Sequence, residues 1–115
     1  MLSKNTDLTN KKLFTKAIGA WASNPVTSIS LLNPISEFPA FLISIEQFSS
    51  AGKLRPNGSI FVVKEQLINT DATYKIDLTA GNFTISVAYI DDTHIRVSGN
   101  NLDPNGARGC IYGIK

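Results

Sequence analysis

From Pro25 onward, apolar and polar residues alternate. In FLISIEQF (41–48), Phe41, Ile43 and Ile45 fall on one side and Ser44 and Glu46 on the other. TYKIDLT (73–79) places Tyr74, Ile76 and Leu78 inward and Lys75 and Asp77 outward. NFTISVAYI (82–90) puts Phe83, Ile85, Val87 and Tyr89 on one face, and THIRVS (93–98) turns Ile95 and Val97 in and His94 and Arg96 out. VTSISLL (26–32), SIFVVK (59–64) and CIYGIK (110–115) complete the set. A period of two in β-branched and aromatic residues marks strands. Turn-forming clusters separate them: Asn33-Pro34, Pro56-Asn57-Gly58, Ala80-Gly81-Asn82, Asp91-Asp92 and the stretch 99–106. About seven short strands at this spacing predict an all-β chain, an antiparallel β-sandwich that is jelly-roll-like. The stretch 65–72 reads either as a short strand or as one helical turn.

Before Pro25 the pattern differs. Phe14, Ala17, Ile18 and Trp21 stand at i, i+3, i+4 and i+7, the spacing of one helical face. Gly19 weakens a helix there, so the segment reads either as a short helix or as an extended arm. The chain therefore divides into an N-terminal attachment arm, 1–25, and a β-sandwich domain, 26–115. The arm is basic, with Lys4, Lys11, Lys12 and Lys16 against Asp7 alone. Lys11, Lys12, Phe14, Ile18 and Trp21 are its candidate attachment residues.

The run 59–64 is apolar on both faces, since Phe61 and Val63 alternate with Ile60 and Val62. Either this strand is central and covered on both sides, or its outer face is buried against another chain. Phe61 and Val63, with Ile111 and Tyr112 of the last strand, are the candidate subunit-contact residues. Charged residues make up only 17% of the chain, against a usual share of about a quarter, and Asn, Ser and Thr fill the difference. Such a surface suits a subunit that buries part of itself in an oligomer.

At 115 residues the chain forms one hydrophobic core without metals or disulfides. A net charge of +2 gives no reason to expect a nucleic-acid partner. No apolar run reaches the length of a bilayer span, so no membrane insertion is expected, nor is secretion by the usual route. Cys110 and His94 are the only residues of their types, which excludes the usual zinc sites and any intrachain disulfide. Asp91 and Asp92 are adjacent and read as a turn rather than as a catalytic pair facing across a cleft. Asp103-Pro104-Asn105-Gly106 lacks the spaced acids of a calcium loop. The expectation is a protein with no enzyme activity and no cofactor. Recognition, if the chain has it, belongs to turns on a rigid scaffold: Arg55 and Asn57, Asp91 and Asp92, or Asn100 and Asn101 in the 99–106 loop.

Two stretches carry a resemblance. TSISLLNPISEFPAFLISIE (27–46) is similar to a segment near the start of small C-terminal domains of phage tail fibres, and CIYGIK (110–115) resembles the strand that closes those domains. The resemblance spans roughly 26–115, although only about 25 residues precede the domain where a typical fibre carries a long shaft. It implies a β-sandwich that forms a homotrimer on a virion. The chain would be a structural protein made in the host cytoplasm: a short tail fibre, a spike, or a head-decoration or knob protein. It would join other phage virion proteins through the N-terminal arm and contact a host cell-surface glycan or protein. The alternative is a carbohydrate-binding module without catalytic activity.

Overall fold

The computed structural model describes residues 14–25 and 27–115. Among the described residues, eight strands form two antiparallel four-stranded sheets. Sheet A has the order β1 (Phe14–Trp21), β8 (Ala107–Ile114), β3 (Ala40–Phe48), β4 (Leu54–Val63). Sheet B has the order β2 (Thr27–Ser30), β7 (His94–Asn100), β6 (Phe83–Asp91), β5 (Ile76–Ala80). The winding is nested at the outer strands, β1 with β8 and β2 with β7, as in a jelly roll. The inner strands close instead as two hairpins, β3–β4 and β5–β6. Gly81 takes φ +61 at the first position of the β5–β6 turn, as a two-residue type II′ hairpin requires.

The alternation sets the core. Phe41, Ile43 and Ile45 of β3, Ile85 and Val87 of β6, Ile95 and Val97 of β7, and Ile111 of β8 are sealed between the sheets. Ile111 therefore faces the chain's own core and is not a subunit contact. β8 presents two glycines beside it on the inner face, and two aromatic rings fill the space they leave. A Cβ at Gly109 would come within 2.4 Å of Trp21, and one at Gly113 within 2.3 Å of Phe38. Gly113 thus makes room for a ring of its own chain.

The segment 14–21 is a strand, not a helix. It pairs with β8 from Phe14↔Ile114 to Trp21↔Gly109, so the sandwich extends N-terminal to residue 26. The helical spacing has a physical source. The register shifts between Ala17↔Tyr112 and Gly19↔Ile111, which leaves Ile18 as the extra residue of a bulge. Ile18 and Trp21, three apart, are then both buried, at 0% and 5% exposure, where a regular strand would put them on opposite faces. Neither is available to attach to another protein. Lys11 and Lys12 lie outside the described residues.

Two further expectations change. The ambiguous stretch after β4 is a short helix, α1 (Lys64–Ile68), seated by buried Leu67. β5 starts only at Ile76, so Tyr74 is not inward but 73% exposed in the preceding loop.

Candidate functional site

The outer face of sheet A is built from cross-strand rows. Residues opposite one another in an antiparallel pair share a face. One row is Ala17, Tyr112, Leu42 and Phe61; the next is Ala20, Cys110, Ser44 and Ser59; the third is Arg108, Glu46 and Pro56. Beyond the first row stand Ile114, Ala40 and Val63. The register thus brings Phe61, Val63 and Tyr112 together, three of the four residues expected at a subunit contact.

The polar part of this face is unusually well buried. Glu46 is only 7% exposed. Arg108 Nε and Nη2 both donate to Glu46 Oε1 at 3.2 Å, and Tyr112 Oη donates to Oε2. The Tyr112–Glu46 hydrogen bond joins the first row to the third, so the two side chains reach over the row between them. This explains why Cys110 and Ser44, on the outer face, are 0% and 1% exposed. Burial in this cluster pushes the Tyr112 hydroxyl far above its ordinary value, and the hydrogen bonds to Glu46 and Cys110 add to it. Burial likewise pushes the Cys110 thiol up to about 11. At neutral pH Cys110 is a protonated thiol and Tyr112 a neutral donor, so neither is a nucleophile. Ser44 Oγ has no hydrogen-bond partner among the described residues.

Beside this sealed cluster the face is apolar and open. β4 is an edge strand, which removes the reading of 59–64 as a central strand covered on both sides. Phe61 is 57% exposed and Val63 38%, while Leu42 and Ile114 are half-buried. Adjoining exposed apolar side chains on an edge strand are an interaction surface or an aggregation liability. Proline and a bulge blunt the far end of the same strand: Pro56 stands opposite Glu46, and the register skips Asn57.

The residues expected to contact a receptor do not form one site. Asp91 and Asp92 belong to the β6–β7 turn, and both carboxylates hold structure. Asp91 Oδ1 accepts from Thr93 N and lies 2.9 Å from His94 Nδ1. Asp92 accepts from the backbone and hydroxyl of Ser36 at 2.8 and 2.9 Å, and its carbonyl accepts from Ile35 N. It ties the 3-10 turn Ile35–Glu37 to the sandwich. Arg55 and Asn57 on β4, Asn100 at the end of β7 and Asn101 just after it lie toward the other end. There Phe48 N bonds Gly106 O, Gly99 N bonds Asn24 O, and Asn101 Nδ2 bonds Asn82 O.

Glu46 and Arg108 did not stand out in the sequence. The signal was their position: a lone acid and a lone arginine on the outward phase of two strands, in a chain with few charges. No protein-family model matches this chain, and neither a curated protein nor a solved structure shows significant similarity to it.

Proposed function

We propose that this chain is a structural subunit that assembles through the outer face of sheet A. In our reading it forms a homotrimer in a phage virion, as a short tail fibre, spike or head-decoration protein. The observation that carries the assembly reading is the row of Phe61, Leu42 and Tyr112, with Val63 beside it, on an open sheet face. Phe61 is 57% exposed, so covering what remains of it would contribute on the order of 1 kcal/mol. The hydrogen-bonded Glu46–Arg108–Tyr112 cluster holds that face in one shape, which lowers the ordering cost of docking. The virion reading rests on the resemblance of 27–46 and 110–115. In the fold the strand portions of these two stretches are neighbours, with Ala40↔Ile114 through Ser44↔Cys110 paired directly.

Two measurements test this. Light scattering of the purified chain at micromolar concentration should give three chain masses; a stable monomer would defeat the assembly reading. Mass spectrometry of purified particles from producing cells should find this chain's peptides in the particle fraction. Their absence from particles would remove the virion reading and leave assembly standing.

A further inference from the structure

The outer face of sheet B has the opposite character. Its outward positions are mostly polar: Ser28, Ser30, Ser86, Ser98, Thr79 and Thr84, with Asp77, His94, Arg96 and Asn100 among them and Ala88 the apolar exception. On this face a groove of about 190 Å³ is lined by Ala72, Lys75, Ser86, Arg96, Val97 and Ser98. We propose that this groove is a binding site for an acidic sugar, with Lys75 and Arg96 taking the carboxylate and Ser86 and Ser98 the ring hydroxyls.

Charge comes first. Two cations line one small groove, and among the described residues neither forms an ion pair or a side-chain hydrogen bond. Arg96 stands opposite Ser28 and Ala88, so its register offers it no carboxylate. An anion between Lys75 and Arg96 relieves their mutual repulsion and accepts charge-assisted hydrogen bonds from both, with the guanidinium able to bind a carboxylate bidentately.

The hydroxyls distinguish a sugar acid from a bare anion. Ser86 Oγ donates to Asp77 Oδ1, which commits its proton and leaves its oxygen to accept from a ligand hydroxyl. Ser98, opposite Ser86, has an uncommitted hydroxyl among the described residues and serves as donor or acceptor. Asp77 beside the groove lowers its net positive charge, which disfavours a multiply charged anion relative to a monocarboxylate.

The third element is Tyr74, 73% exposed next to Lys75. The loop that carries it is fixed: Asp71 Oδ1 accepts from Thr73 N at 2.6 Å and Tyr74 N at 2.8 Å, and Asp71 N donates to Tyr74 O at 2.9 Å. Tyr74 does not line the groove itself, but an exposed ring on a fixed loop beside Lys75 is a surface on which a sugar extending out of the groove would stack. The groove is smaller than the roughly 300 Å³ of a drug-sized pocket, so it fits one sugar unit rather than a chain. None of this depends on the assembly reading, because the groove lies on the sheet face turned away from Phe61.

The test is a titration of the full-length ¹⁵N-labelled chain with glucuronic acid, N-acetylneuraminic acid, galactose and inorganic phosphate. The expected result is saturable shifts of the Lys75, Ser86, Arg96 and Ser98 amides with at least one acidic sugar. Binding should be weaker by at least about tenfold for galactose, for phosphate, and for the Lys75→Gln/Arg96→Gln double variant. Both substitutions are at exposed positions, and the spectrum itself reports that the variant is folded. Absence of saturable shifts at these amides with either acid overturns the proposal. So does phosphate binding as tightly as the sugars, or a double variant that binds unchanged.

Discussion

Glu46 and Asp77 are both carboxylates on outward positions of interior or edge strands, and the fold treats them differently. Glu46 on sheet A is 7% exposed, receives three donors from Arg108 and Tyr112, and helps close off Cys110 and Ser44. Asp77 on sheet B is exposed and takes one hydroxyl, from Ser86. Around Glu46 the surface is apolar; around Asp77 it is hydroxylated. One sheet therefore carries a fixed, partly dry outer face, while the other is hydroxylated and exposed around Asp77, with Ala88 its buried apolar exception. The difference comes from the residues on the outward phase, since both sheets bury the same kind of Ile and Val on the inward one.

The largest expected effect comes from removing residues 110–115. This takes away most of β8, the strand that joins β1 to β3, and with it buried Cys110 and Ile111. The truncated chain should be insoluble on expression, whereas a wetted, edge-only strand would tolerate the loss. A smaller change separates the two carboxylates directly. Glu46→Ala leaves Arg108 and Tyr112 without their acceptor on a mostly buried site, and should cost on the order of 3 kcal/mol in urea denaturation. Asp77→Ala should cost about 0.5 kcal/mol or less, because an exposed hydrogen bond is readily replaced by water. Equal costs at the two sites would erase the distinction between the faces.

Gly113→Ala comes next. Its Cβ would meet the Phe38 ring on the inner face, and overpacking of this kind costs about 1–3 kcal/mol. The effect should appear as a lower unfolding midpoint with no change in assembly, since Gly113 faces inward. The smallest effect is at low pH. Asp91 is held below the usual carboxylate range chiefly by the Thr93 backbone N–H and then by His94, and Asp71 by the Tyr74 and Thr73 N–H groups. A carboxyl depressed in the folded state contributes stability that is complete above its ordinary value, about 3.9, and lost as pH falls through the lower folded value. Thermal midpoints should therefore fall slightly as pH drops below about 4, and the Asp91→Asn variant should show less of that decline.

The sandwich was legible because alternation survives in the paired strands: seven of the eight were expected, with β3 and β6 placed within a residue or so at each end. β1 was misread for a definite reason. Its bulge at Ile18 spaces the buried residues as a helix would, and no local signal separates the two. Tyr74 was read as inward because the alternation of β5 extends back past the first paired residue, Ile76, into a loop fixed by Asp71. Phe61 and Val63 were recognisable, since a doubly apolar strand poses its own question. The Glu46–Arg108–Tyr112 cluster was not, because it depends on the register of β3 against β8, which joins residues 62 and 66 positions apart in the chain.

The claim that the outer face of sheet A is an assembly surface is tested most directly by light scattering of the chain beside its Phe61→Asp variant, at equal micromolar concentration. Phe61 is more than half exposed, so the variant should unfold at nearly the same temperature. The account predicts three chain masses for the native protein and one for the variant. A native monomer, or a variant that assembles as the native chain does, would contradict it.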